Sequence, residues 1–257
     1  MTALHAEQVG AGPRVVLVHG FTQTGRSWAR VSADLARDHE VVTVDAPGHG
    51  GSTRVAADLL SAAGLLGEAG GEAVYVGYSM GGRLALHLAL ARPDLVDGLV
   101  LLGATAGIEA EEERRARRTA DEALAADLER GGLDVFLGRW LAQPLFASLP
   151  RDAADLDDRR RNTVAGLASS LRLTGTGTQE PLWDRLGMLT MPVLVLAGER
   201  DERFAGLGRR IAQTIGTNAT FAVVPHAGHA AHLEEPEAFL RVLRDWLGVR
   251  RPGQGRA

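Results

Sequence analysis

Residues 76–83 read V-G-Y-S-M-G-G-R, and Ser79 at the centre of this stretch is the first residue whose surroundings point to chemistry. Gly77-Tyr78-Ser79-Met80-Gly81 matches G-x-S-x-G, with β-forming residues before it and a helical run after it. A serine at such a strand-to-helix turn sits in a strained backbone conformation. Side chains at the flanking positions would collide with neighbouring elements, so those positions call for glycine. The turn pushes the hydroxyl out of the sheet. It also leaves the Met80 N–H at a helix N-terminus, where it can stabilise a negative oxygen.

A serine hydroxyl is a poor base and a poor nucleophile unless a histidine, itself held by a carboxylate, stands behind it. On this kind of sheet the order is serine, acid, histidine. VLVLAGERDERF supplies Glu199, Asp201 and Glu202. Asp201, a few residues past the strand end where a loop can aim it inward, is the choice, with Glu199 as the alternative. VVPHAGHAAHLEEPEAF offers His226, His229 and His232. His229 follows Ala-Gly in a loop ahead of the final helix, which suits a side chain reaching back over the sheet. His226 reads as structural, and His232 as the start of a helix or part of a pocket wall. A second donor for a negative oxygen should come from the loop after an early strand, Val18-His19-Gly20-Phe21. The Phe21 N–H is the candidate, with His19 bracing the loop. The turn-rich segment Asp45–Ser52 is expected to shape the pocket wall.

The elements that must position these groups are legible as an alternation. VVLVH (15–19), VVTVD (41–45), AVYVG (73–77), LVLLG (99–103), VLVLAG (193–198) and TFAVVP (220–225) read as strands. Most are nearly continuous apolar runs, as parallel strands covered on both faces must be. Helix-like stretches such as 83–91 and 236–246 lie between and after them. Together they predict a mostly parallel, doubly wound α/β sheet. The alternation breaks over 106–188, which is helical in pattern and opens with acidic residues at 109–113 suited to a helix N-terminus. The sequence therefore divides into a first core part (1–105), a helical cap (106–188), a second core part (189–248) and a disordered tail (249–257). GTGTQ at 175–179 follows no strand and lacks the further glycine of a dinucleotide site, so it reads as a plain loop.

Composition narrows the class. The net charge of −4 offers no footprint for nucleic acid and no polybasic membrane patch. The chain has no cysteine, which rules out disulfides and thiolate metal sites. The N-terminal residues lack a signal pattern, and no apolar run approaches the ~18 residues of a membrane span. A cytoplasmic enzyme needing no metal and no cofactor is expected, and a monomer is compatible with the sequence.

The motifs HGF, GYSMGG, GERD and AGHAAHLEEPEAF, in this order, resemble the α/β-hydrolases. HGFTQTGRSW, DAPGHGGS, WLAQPLFASLP and NTVAGLASSLRLTGTGTQEPLW sharpen the resemblance to one branch. That branch is the 2-succinyl-6-hydroxy-2,4-cyclohexadiene-1-carboxylate (SHCHC) synthases of menaquinone biosynthesis, and the likeness covers residues 15–246. It implies an α/β-hydrolase fold with a helical cap, and a lyase that eliminates pyruvate from a small polyanionic substrate without an acyl-enzyme. An esterase or thioesterase acting through an acyl-serine is the alternative that the core motifs alone would equally fit. Elimination needs a base and a donor pair for an enolate, which Ser79, His229, Phe21 and Met80 can supply. A polyanion also calls for fixed bidentate cations. Arg83, one helical turn past Ser79, is well placed to be one. The branch's cap arginines correspond to Arg117 and Arg159, with Arg118 and Arg161 as rivals in register. Trp140 corresponds to its cap tryptophan, and Tyr78 is a further candidate for the pocket lining.

Overall fold

The computed structural model describes residues 3–249, and the core of the fold is a seven-stranded sheet in the order β1-β3-β2-β4-β5-β6-β7. The strands are β1 (Ala6–Gly10), β2 (Arg14–Val18), β3 (Glu40–Val44), β4 (Ala73–Tyr78), β5 (Val96–Leu102), β6 (Val193–Gly198) and β7 (Ala219–Val224). Only β1 runs antiparallel, against β3; every other pairing is parallel. This is the mostly parallel sheet that the apolar runs predict. The strand absent from the sequence reading is β1. Its residues AEQVG are all exposed, so no alternation marks it, and it is held by its pairing with β3 rather than by burial.

Period two along each strand sorts its side chains to two faces. Val16, Val18, Tyr75, Leu99, Leu101, Val193 and Val195 join one buried cluster. Val15, Leu17, Val76, Tyr78, Val100, Leu102, Leu194 and Leu196 join the other. Helix α1 (Ala29–Leu35) covers the second face, while α2 (Leu59–Gly70) and α3 (Met80–Ala91) cover the first. The chain then leaves the sheet for the cap: α4 (Glu111–Gly131), α5 (Leu133–Leu141), the single turn α6 (Leu156–Arg159) and α7 (Val164–Thr174). The cap has its own small core of Ala125, Leu128, Phe136, Leu167, Ala168 and Leu171, with Phe21 of the sheet's own loop packed against it. On return, α8 (Glu202–Ile215) backs the first face. The turn α9 (Ala231–Glu234) and α10 (Pro236–Val249) complete the second.

One boundary differs from the sequence reading. Leu182, Trp183 and Leu186, grouped there with the cap for their helical pattern, pack into the sheet's first core cluster instead. The tail from residue 250 onward lies outside the described residues.

Candidate active site

The site forms at the carboxyl ends of β4, β6 and β7, where open α/β sheets place their ligands. Ser79 follows the last residue of β4 with φ 50° and ψ −107°, a strained positive-φ conformation for a residue that carries a side chain. The neighbouring glycines hold it there. A Cβ on Gly77 would lie 2.5 Å from both the Gly81 carbonyl oxygen and the Gly82 Cα, and a Cβ on Gly81 would collide with the carbonyls of Val18 and His19. The Ser79 N–H donates to the Leu102 carbonyl at 2.8 Å, which ties the turn to β5. Met80 follows as the first residue of α3, so its N–H has no acceptor within the helix.

The structure brings Asp201 and His229 to this serine. His229 Nε2 lies 3.3 Å from Ser79 Oγ, and its Nδ1 lies 2.7 Å from Asp201 Oδ2. The other carboxylate oxygen of Asp201 accepts the Phe204 N–H at 3.2 Å and caps α8, which fixes the acid's direction. Both partners are buried. Gly103 leaves room for the imidazole, since a Cβ there would sit 3.0 Å from His229 Cε1, and Phe204 packs on the ring at 4.5 Å between centroids. Glu199 instead accepts the His226 N–H at 2.8 Å, away from the serine, and His226 is exposed. His232 is buried against Trp28 and Tyr78, and burial lowers its pKa to about 3, leaving it neutral.

Ser79 opens onto a cavity of about 440 Å³ between sheet and cap. Phe21, Tyr78, Met80, Arg83, Arg117, Trp140, Arg159 and His229 all line it. Four arginines face it (Arg83, Arg117, Arg159 and Arg203), against a single carboxylate among the described lining residues, Asp121. Arg83 is buried and donates to the Thr174 carbonyl at 2.8 Å, at the C-terminal end of α7 where helix carbonyls lack partners. Burial, and then the nearby Arg117, lower its pKa to about 10, so it stays a cation at neutral pH. The Arg117 Nε donates to buried Asp121 at 2.8 Å. Arg159 donates from Nε to the Ala154 carbonyl at 2.7 Å and from Nη1 to the Thr22 hydroxyl. Burial lowers its pKa too. The rivals point elsewhere. Arg118 pairs with Glu111 and donates to the Gly177 carbonyl, and Arg161 lies against Asp158 away from this cavity. The Trp140 indole N–H is buried without a partner in the cavity wall.

Residues 15–242 match the family described as the Alpha/beta hydrolase family. The chain is 34% identical to the 2-succinyl-6-hydroxy-2,4-cyclohexadiene-1-carboxylate synthase of Serratia proteamaculans (strain 568), over 91% of this chain and 93% of that one. The chain belongs to the α/β hydrolase family, in its SHCHC synthase branch. Among solved structures it superposes on MenH from S. aureus with a TM-score of 0.88 and 28% identity, covering 97% of this chain and 99% of that one. A malate-bound thermophilic esterase from Thermogutta terrifontis gives 0.82 and 26%, over 96% and 93%.

Against the family framework, three features of this site differ from the sequence reading. No residue of the 45–52 loop lines the cavity. That loop lies behind Phe21, where Asp45 accepts the Gly25 N–H at 2.7 Å and the His49 ring meets Phe21 edge-on at 5.5 Å. GTGTQ is more than a passive loop, because Gly175 and Thr176 line the cavity and the Gly175 carbonyl faces Arg83. Arg203 and Phe204, next to the Asp201 cap, line it too and were missed. Their only signal was adjacency to the acid in GERDERF. No helix among the described residues is long and apolar enough to cross a membrane.

Proposed function

We propose that this protein is an SHCHC synthase. It acts on 2-succinyl-5-enolpyruvyl-6-hydroxy-3-cyclohexene-1-carboxylate, and Ser79, His229 and Asp201 form its catalytic base. The observation that carries this reading is the pairing of a Ser–His–Asp constellation with a cavity lined by four arginines and one carboxylate. A neutral ester gives no reason for two buried arginines, Arg83 and Arg159, at the cavity wall, since their desolvation is costly without an anion to meet it. A substrate with three carboxylates does.

The chemistry balances without water. The Ser79 oxygen takes the proton from ring carbon 2, α to the succinyl ketone, while its own proton passes to His229 Nε2. Asp201 holds the imidazole in the tautomer that can accept it and stabilises the imidazolium. The carbon pair forms the double bond between carbons 2 and 3. The ring double bond moves to carbons 4 and 5, and the bond from carbon 5 to the ether oxygen breaks. Enolpyruvate leaves, takes a proton and becomes pyruvate; the ring keeps the 2,4-diene. Negative charge developing on the ketone oxygen falls to the N–H groups of Phe21 and Met80. Arg83, Arg117 and Arg159 bind the carboxylates, with Tyr78 and Trp140 packing against the ring. Soluble, cytoplasmic enzyme action on this small polyanion needs no cofactor.

The test is a pyruvate assay coupled to lactate dehydrogenase with the enolpyruvyl substrate. One pyruvate per substrate is expected. No pyruvate at saturating substrate contradicts the reading. The second reading, hydrolysis through an acyl-serine, draws on the likeness to the esterase. It would be favoured by an acyl adduct on Ser79 after an activated ester is added.

A further inference from the structure

Thr22 follows Phe21 in a four-residue turn closed by the Gln23 N–H on the Gly20 carbonyl at 3.2 Å. Its φ is 70°, the positive value that the third position of a type II turn requires and that normally selects glycine or asparagine. A β-branched residue is poorly suited to that position. Something must therefore hold the turn, and the polar groups of Thr22 show what does.

Its N–H donates to His49 Nε2 at 3.3 Å, from the core. Its carbonyl accepts from Asn162 Nδ2 at 2.7 Å, and its hydroxyl accepts from Arg159, both from the cap. Two residues on, Thr24 is gripped by the cap as well. Its hydroxyl donates to Asp158 Oδ1 at 2.6 Å and its N–H to Asp158 Oδ2 at 3.2 Å. Asn162 closes the frame by accepting the Gly50 N–H on Oδ1 at 2.9 Å. Thr22, Thr24, Asp158 and Asn162 are all buried, so each contact matters: an abandoned partner would be left unsatisfied away from water.

We infer that the cap segment 158–162 is a positioning device that builds one half of the oxyanion hole. By clamping the strained Thr22 and its near neighbour Thr24, Asn162 and Asp158 orient the peptide unit that carries the Phe21 N–H, across 140 and 134 residues of sequence respectively. Neither touches the substrate; both act through Phe21. Arg159 joins the binding of a substrate carboxylate to the same clamp, since it lines the cavity and also holds the Thr22 hydroxyl. The inference rests on the role given above to the Phe21 N–H.

The test is steady-state pyruvate release by Asn162→Ala, by Thr22→Gly and by the double variant. Loss of a well-aimed oxyanion donor costs about 10²–10³-fold in kcat, and a misaimed one some part of that. In Asn162→Ala kcat is expected to fall roughly 10–100-fold while KM stays within about threefold. Adding Thr22→Gly should restore kcat by about fivefold or more, because glycine adopts φ 70° without a clamp. A merely structural role in docking the cap would raise KM or lower the melting temperature and would not be rescued by that glycine. An unchanged kcat, a loss confined to KM, or the absence of rescue each overturns the inference. Should Asn162→Ala not fold, Asn162→Asp, which keeps the acceptor for Gly50 and loses the donor to Thr22, is read by the same criteria. If the wild-type protein releases no pyruvate, the lyase reading fails by itself. The clamp is then scored on hydrolysis of an activated ester, which uses the same two donors.

Discussion

Two turns in this molecule hold a non-glycine residue at positive φ beside a candidate oxyanion donor, and they are built in opposite ways. Ser79, at φ 50°, precedes Met80 and is held by close backbone packing of its motif on itself and on the neighbouring strands, where Gly77, Gly81 and Gly82 leave no room for side chains. Thr22, at φ 70°, follows Phe21 and is held by side chains from two other parts of the chain, His49 of the core and Arg159 and Asn162 of the cap. Each conformation costs on the order of 1–3 kcal/mol and persists only where its surroundings over-determine it. The first turn is therefore as rigid as the sheet. The second depends on the docking of the cap as well as on His49 of the core, so that one donor is fixed by the sheet and the other is tied in part to the element that covers the cavity.

The sharpest way to break this comparison is at the rigid turn. Ser79→Ala is expected to lower pyruvate release by about 10²–10⁴-fold, the span of a general base, with little change in the melting temperature because the glycines remain. A variant that kept more than a tenth of the activity would separate the elbow from the chemistry. On the cap side the expected effects are smaller and of another kind. Arg83→Gln removes a buried charge facing the cavity, and a charge-assisted contact is worth about 1.5–3 kcal/mol. KM should rise roughly tenfold or more while kcat changes less, as measured by the same coupled assay. The reverse pattern would place Arg83 with the base instead of the binding groups.

A third, gentler lever is pH. His49 accepts the Thr22 N–H on Nε2 and sits with Nδ1 against the Pro47 carbonyl at 3.0 Å, an arrangement that requires the neutral ring. Burial, and then His19, lower its pKa to about 3. His232 is likewise lowered to about 3 and His87 to about 4, both chiefly by burial. The unfolded chain binds protons at these histidines near pH 6.5 while the folded one does not, so stability increases with pH across the interval. It is complete above about 6.5 and declines on acidification toward about 3, by up to ~1.4 kcal/mol per pH unit for each histidine. Denaturant titrations between pH 7 and 4.5 should show the midpoint falling. His49→Gln, which offers an acceptor that does not titrate there, should flatten the slope, and an unchanged slope would remove His49 from the account of the turn.

The contrast between the two turns also explains what could be read from the sequence. The sheet was legible because nearly continuous apolar runs are local signals, and β1 escaped because its exposed AEQVG forms no such run. The start of α3 lies at Met80, earlier than the expected 83, because Gly81 and Gly82 are poor helix formers placed in its first turn by the elbow. Ser79, Asp201 and His229 stand at strand ends in a fixed order, so strand assignment suffices to nominate them. Asn162, Asp158 and Thr22 carry no comparable signal, because their contacts cross between cap and core. Nor could the register of the cap arginines be settled locally. Arg117 and Arg118 stand three and four residues after buried Arg114, so both flank the buried stripe of α4, and only Asp121 and Gly177 tell them apart. Arg159, Arg160 and Arg161 form a run with no apolar marker of facing. Arg160 pairs outward with Asp134 and Asp157, while Arg159 is buried at the Thr22 turn.

The most direct measurement of the proposed chemistry is single-turnover pyruvate release from substrate carrying deuterium at ring carbon 2, with the intact protein mass followed in the same samples. Proton removal by the Ser79–His229 pair without a covalent intermediate should make release slower than with the undeuterated substrate, while the protein mass stays unchanged throughout. Equal rates for the two substrates, accompanied by a mass increase on Ser79, would contradict it.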